Sequence, residues 1–184
     1  MSKRAKLDRN RVRKYRRAMA RYLVDVSAAD IEEAASWYGE ARLVALDVAN
    51  RMGVSLDCGA SIVSAFSPRE RWSRNITLAI DFAEGRPTAC LGNSRRSAER
   101  ARVQGFDALK GDKVNAFARA IAGDSEAVVV DVWMCRAAGL DRDAPTVVQY
   151  REVTSAVRSL ARQWGLDPAT MQALIWIKVR GGAL

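Results

Sequence analysis

Apolar residues recur along this chain at helical spacing, and capping residues or glycines separate the runs. One buried helix face is indicated by apolar positions three and four residues apart: Ala41, Val44, Ala45 and Val48. This helix is predicted to begin at a capping box formed by Ser27 and Asp30. It is predicted to end near Met52, because Gly53 can take the left-handed conformation that closes a helix.

The strongest local start signal is the run Ser67-Pro68-Arg69-Glu70. Ser67 suits the N-cap, Pro68 suits the first helical position, and Glu70 can close a capping box. A helix is therefore predicted from this motif to residue 84, where Gly85 ends it. Further helices are predicted over 94–104, 113–122, 132–138, 146–164 and 168–179.

The apolar run 127–130 is the one segment with the propensity of a strand. A single short strand cannot build a sheet, so we expect a buried extended connection. Asp131 is predicted to cap the helix that follows it, and Asp167 to cap the last one. The pattern therefore predicts an all-α fold.

Composition excludes several classes of protein. No stretch approaches the ~20 apolar residues of a membrane span, and the basic N-terminus lacks the apolar segment of a secretory signal. Cys58, Cys90 and Cys135 are far apart and odd in number, so neither a disulfide framework nor a zinc site is expected. Reduced cysteines favour a cytoplasmic location. Because the chain has no histidine, catalysis by it would rest on Asp, Glu, Lys, Tyr, Ser or Cys.

The formal net charge of +9 sits at one end of the chain. Residues 1–21 carry ten basic side chains and one acidic side chain, whereas the rest of the chain is neutral. Such an arm, taken here as residues 1–23, is typical of a protein that binds a polyanion, and we expect DNA. The expected phosphate contacts on it are Arg9, Arg11, Arg13, Lys14, Arg16 and Arg17.

From residue 9 onward the arm has a sequence that permits a helix. Two alternatives stay open: the helix forms only when DNA is bound, or the arm is a solvated tail with no partner. The remainder, 24–184, is predicted as a single helical domain.

Residues 105–140 combine two motifs in a fixed order. The run Gly111-Asp112-Lys113-Val114 opens one helix, and 127–130 then leads into Asp131 at the start of the next. This arrangement resembles the helix-hairpin-helix DNA glycosylases, and within them the branch that contains 8-oxoguanine DNA glycosylase. Residues 67–69 and 72–75 also resemble glycosylase-like proteins of actinobacterial phages.

The resemblance implies a two-lobed helix-hairpin-helix fold and a base-excision enzyme of a bacterial or phage-infected host cytoplasm. Asp131 would stabilise the positive charge that develops on the sugar. Lys113, 18 residues earlier, would be the amine that attacks the sugar, which would also give AP-lyase activity. Lys110 and Gly111 would contact a phosphate. No cofactor and no metal are implied.

Trp72 and Trp133 neighbour the two motifs, so the resemblance suggests that they line a base pocket, although tryptophans are also typical of a core. Arg136 matches a basic residue of the family motif. The hairpin departs from the family pattern by lacking a proline and the first glycine, and Trp133 replaces a histidine.

Other interpretations stay open. Asp131 is also suited to be only an N-cap, and Lys113 only a surface or phosphate-contacting lysine. A phage base-hypermodification transferase on the same fold and a non-catalytic DNA-binding protein are the alternative functions. The sequence names no protein partner.

Overall fold

A computed structural model describes residues 7–181 of the chain, and those residues contain helices and no strand. The all-α prediction is therefore confirmed for this part of the chain. The α-helices are α1 (Arg9–Ala20), α2 (Ala28–Met52), α3 (Leu56–Ala65), α4 (Trp72–Ala83), α5 (Gly92–Gln104), α6 (Asp112–Ala122), α7 (Val132–Ala137), α8 (Val147–Trp164) and α9 (Pro168–Arg180).

The described residues divide into two compact units. Unit 1 comprises 7–36 with 128–181, and unit 2 comprises 37–127. The first boundary falls within α2 and the second within the run 127–130. The predicted division into an arm over 1–23 and one domain over 24–184 stays a prediction.

Unit 1 is built on α8 and α9. Helix α1 packs along α8, and α7 and α8 both pack against α9. Helix α1 is formed and buries Tyr15, Ala18 and Met19. The spacing of these residues, i and i+3 or i+4, places them on one face of the helix. The first six residues of the basic N-terminus lie outside the described residues.

Local signals determine most of the helix starts in unit 1. Thr146 and Gln149 form a reciprocal capping box at α8, and Asp167 caps α9 with Pro168 in its first turn. The predicted caps Asp131 and Asp167 are confirmed, because each carboxylate accepts from a backbone N–H of its own first turn. Each such cap stabilises its helix by about 1 kcal/mol.

The run 127–130 is buried and forms no strand, as predicted, whereas its extended conformation stays a prediction. In unit 1 the hydroxyl of Tyr150 forms hydrogen bonds with the backbone of this run. It donates to the Val128 carbonyl at 2.8 Å and accepts from the Val130 N–H at 3.3 Å. One side chain of α8 therefore replaces the strand neighbour that a sheet would supply.

Unit 2 surrounds α3, whose residues from Gly59 to Ala65 are all buried. Helices α5 and α6 both pack against α3. A β-carbon at Gly59 would overlap the carbonyl oxygen of Ala45 and lie 2.9 Å from the β-carbon of Ala49. Glycine is therefore required for α3 to approach this stretch of α2 so closely.

The helix start predicted at Ser67 is wrong. Residues 67–70 form a turn in which the Glu70 N–H donates to the Ser67 carbonyl, and α4 begins at Trp72. Arg69 has φ 65°, the left-handed region that a type II turn requires after proline. Proline suits the second position of such a turn as well as the first turn of a helix, so the motif alone does not separate the two.

No helix among residues 7–181 is long and apolar enough to cross a membrane.

Candidate functional site

Asp131 is a half-buried carboxylate held through both of its oxygens in unit 1. Oδ1 accepts from the Met134 N–H at 2.9 Å, which is the helix cap. Oδ2 accepts from the indole N–H of Trp176, on α9, at 2.9 Å. Capping requires only one oxygen, so the indole contact fixes the orientation of the group beyond what the helix start requires.

A cluster of tryptophans and arginines lies beside this carboxylate. The guanidinium of Arg136 lies 4.6 Å from the ring centroid of Trp133. The guanidinium of Arg180 lies 5.6 Å from the Trp133 centroid and 4.2 Å from that of Trp176. These are cation–π distances, at which the flat guanidinium is held against the ring.

The sequence analysis named Trp133 for a base pocket, and that role stays a prediction. Neither Trp176 nor Arg180 was identified from the sequence as part of a site. The available signal was their spacing: Trp176 and Arg180 are four residues apart in α9, so they share a helix face.

Cys135 lies in the same short helix and is fully buried. Burial, with a smaller effect from the Asp131 and Asp143 carboxylates, raises the pKa of its thiol to about 11. The thiol therefore stays protonated at neutral pH and is not a nucleophile there.

Helix α1 and the turn after it carry a stripe of exposed arginines, named here the arginine stripe: Arg9, Arg13, Arg17 and Arg21. They are four residues apart, so a rise of about 1.5 Å per residue spaces neighbours about 6 Å along the helix. None of them is ion-paired with a carboxylate of residues 7–181. Like charges at this spacing repel each other and destabilise a helix slightly. Together they present a concentrated positive surface to a polyanion.

Two of the predicted phosphate contacts face α8 instead. Arg11 donates through Nε and Nη2 to Oε1 of Glu152, a side chain with no solvent exposure. That hydrogen bond raises the pKa of Arg11 above its usual range. Arg16 donates to Oε1 of Gln163 at 2.5 Å. These two groups join α1 to α8, whereas Arg9, Arg13, Lys14 and Arg17 are exposed.

Lys113 lies in unit 2, in the first turn of α6, and its amine is half-buried. Nζ donates to Oγ of Ser67 at 2.9 Å and lies 5.5 Å from the ring centroid of Phe117. Ser67 belongs to the turn in which Arg69 has the left-handed conformation. The sequence analysis missed Ser67 as a partner of this lysine, because the contact joins residues 46 positions apart.

An aromatic cluster lies beside Lys113. Trp72 lies 5.5 Å from Trp37 and 6.3 Å from Phe117, measured between ring centroids. Tyr38 contacts Trp37 edge-on. Trp72 is half-buried, so its assignment to a base pocket stays a prediction. Sequence reasoning did not identify the other three members, Trp37, Tyr38 and Phe117.

The hairpin residues Lys110 and Gly111 are exposed in the loop before α6. Gly111 is the N-cap residue of α6, and as a glycine it has no side chain that could accept a hydrogen bond from the first turn. Lys113 belongs to unit 2 and Asp131 to unit 1. Residues 7–181 hold no group of three or more Cys, Asp or Glu side chains placed to bind a metal ion.

No curated protein and no solved structure matches the chain. Its similarity extends over nearly its whole length to one family, for which no function is described: residues 1–183 match it. The chain belongs to that family of unknown function, DUF7178.

Proposed function

We propose that the protein acts on DNA as a base-excision-type enzyme, a DNA N-glycosylase in which Asp131 supplies the carboxylate. The observation that carries the proposal is the double hold on this group. The first turn of α7 binds one oxygen, and the Trp176 indole binds the other. A carboxylate fixed in this way is pre-organised to face a developing positive charge without reorganising.

The chemistry requires such a group because breaking an N-glycosidic bond leaves positive charge on the sugar. An ionised, oriented carboxylate stabilises that charge as it forms. A pre-organised group that faces the developing charge contributes about 3–4 kcal/mol to the transition state. A base must leave the duplex stack before its glycosidic bond can be attacked.

Lys113 is proposed as the amine of a lyase step. After losing its proton, Nζ would attack C1′ of the sugar and form a C–N bond. The base would leave with the electron pair of the glycosidic bond and take up the proton that the bound amine then loses. Opening of the C1′–O4′ bond, with O4′ protonated by water, would then give a protonated Schiff base. The hydrogen bond to Ser67 and the ring of Phe117 hold the amine in place within unit 2.

DNA is proposed as the partner because of the arginine stripe. Its exposed guanidinium groups are regularly spaced and free of carboxylate partners in residues 7–181. Phosphate neutralisation by such groups provides affinity without reading sequence.

A non-catalytic DNA-binding protein is the second candidate. The observation that favours it is that the Lys113 amine already donates to Ser67, as a lysine with a structural role would. The arginine stripe by itself requires no chemistry.

The test incubates the full chain with duplexes containing uracil, oxidised guanine or hydroxymethylated bases, with and without borohydride. We expect Asp131→Asn to lower the rate of base release about 10²–10³-fold, because asparagine keeps the cap and loses the charge. The matched control is Asp167→Asn, another helix-capping aspartate, which bonds Thr170 rather than an indole. We expect it to leave the rate unchanged.

A borohydride-trapped adduct should map to Lys113 and disappear in Lys113→Gln. Equal rates for the two aspartate variants would reject the role of Asp131. Absence of base release from every duplex, with DNA binding retained by Asp131→Asn, would establish the second candidate instead.

A further inference from the structure

Arg136 and Arg180 lie against indole rings in a manner that leaves their hydrogen-bonding edges available. Both guanidinium groups approach the Trp133 ring, and Arg180 also approaches the Trp176 ring. Neither guanidinium makes a hydrogen bond to another residue among 7–181. Their N–H donors are therefore available to a ligand.

Neither arginine is ion-paired with a carboxylate in the described part of the chain. Other cations of unit 1 differ in this respect. Arg11 is bonded to Glu152, and Lys178 to Asp30. Two unpaired cations beside one ring repel each other, and an anion bound between their donors would relieve that repulsion.

We infer that Arg136 and Arg180, held by Trp133, form a phosphate-binding clamp for a phosphodiester group of DNA. The inference rests on the proposed function for the identity of its ligand. Planar guanidinium donors match the oxygens of a phosphate in pairs, which gives geometry as well as charge.

The clamp lies next to the carboxylate through a chain of contacts. Arg180 stacks on Trp176, and Trp176 donates to Asp131. A phosphate in the clamp therefore belongs to the nucleotide whose glycosidic bond Asp131 faces, or to its neighbour. The clamp sets the position of the strand, and Asp131 acts on the sugar.

The experiment measures binding of a single-stranded oligonucleotide by fluorescence anisotropy over a series of salt concentrations. We expect Arg136→Gln and Arg180→Gln each to weaken binding about 10-fold, as the loss of one charge-assisted contact does. Each should also reduce the salt slope by about 0.7. The control is Arg162→Gln, an exposed arginine of α8 in unit 1 for which no aromatic contact is found. We expect it to change neither quantity.

Arg136→Lys and Arg180→Lys keep the charge and lose the flat donor edge. We expect intermediate affinity from a planar clamp, whereas full recovery would mean that only charge matters and would overturn the paired geometry. Circular dichroism of every variant checks that the helices are intact.

Inorganic phosphate and a nucleoside monophosphate, followed by tryptophan fluorescence, separate the possible sources of the phosphate. Tight binding of these small anions, lost in the glutamine variants, would support the clamp and overturn DNA as its ligand. Arginine variants that match Arg162→Gln with every probe would overturn the clamp itself. If no duplex releases a base while the arginine dependence of DNA binding persists, the clamp stands and the glycosylase proposal fails.

Discussion

The two units treat their surface arginines differently. In unit 2, Arg51 contacts Asp47 and Glu84, and Arg86 contacts Asp81 and Glu84. Arg96 and Arg102 of α5, in contrast, are exposed without a carboxylate partner in the described part of the chain. Unit 2 therefore mixes paired with unpaired arginines. In unit 1 the arginine stripe, Arg136 and Arg180 have no carboxylate partners among residues 7–181.

The difference teaches that arrangement, rather than the number of cations, indicates a polyanion surface. An exposed ion pair presents little net field to a distant phosphate, and it contributes little to stability. Unpaired cations in a row present their full charge. Four arginines at four-residue intervals, unpaired within residues 7–181, therefore make unit 1 the expected side for a polyanion, and the first of four predictions tests this.

Removing the arginine stripe should have the largest effect. Replacing its four members by glutamine, in the full chain, is expected to weaken duplex DNA binding about 10³-fold at 0.1 M salt and to lower the salt slope by about 3–4. The measurement is anisotropy against salt concentration. The control replaces Arg51, Arg86 and Arg95 of unit 2, each of which is ion-paired. An equal loss of affinity in the control would contradict the contrast between the units.

The close approach of α3 to α2 within unit 2 should give the second-largest effect, on stability. Gly59→Ala should lower the free energy of unfolding by about 1–3 kcal/mol, because the added methyl group overlaps the Ala45 carbonyl. Gly39→Ala is the control, since nothing lies within 4 Å of a β-carbon there. Alanine should stabilise that helical position by up to about 1 kcal/mol. Urea unfolding measures both, and equal behaviour would reject the packing argument.

Loss of Glu152, the buried partner of Arg11, should give the third-largest effect, a loss of stability. Glu152→Gln should cost about 1–2 kcal/mol, less than a fully buried pair, because the Arg11 side chain is 50% exposed. Hydrogen exchange should show the loss as faster exchange in α1, which packs on α8. In unit 2, Glu99→Gln breaks an exposed pair with Arg95 and should cost no more than about 0.5 kcal/mol. A larger effect at Glu99 would reverse the order.

The smallest effect is a pH dependence at the start of α2. The backbone hydrogen bond from Ser27 lowers the pKa of Asp30 below its ordinary 3.8, with further help from the Ser27 hydroxyl and Lys178. A lowered folded-state pKa gives stability that is present above the ordinary value and lost as pH falls through the folded one. Asp30→Asn should flatten this acid limb and lower the thermal stability at pH 7, where the wild-type carboxylate makes its full contribution, so that the two proteins converge at low pH. An unaltered acid limb would exclude Asp30 as its source.

The sequence predicted those features that depend on a few adjacent residues. Asp131 and Asp167 cap their helices because a short carboxylate before a helix meets the first-turn N–H groups whatever surrounds it. The helix start predicted at Ser67 was wrong because the proline that follows it suits both a turn and a helix start. The motif alone does not decide between the two.

The candidate site was predicted only in part. Lys113 and Asp131 lie in short motifs, so they could be predicted from the sequence. Their partners could not: Ser67 and Trp176 reach them across 46 and 45 residues. Contacts of that separation depend on how helices pack, and spacing along the chain does not encode them.

The hydroxyl of Tyr150 has a consequence for self-association. It occupies the carbonyl of Val128 and the N–H of Val130, both on an apolar run of strand-forming residues. Open backbone groups on such a run are a template on which a second copy can add a strand and begin aggregation. By occupying these two groups with one phenol, α8 removes two of the backbone positions at which such a strand would pair if this buried segment became exposed.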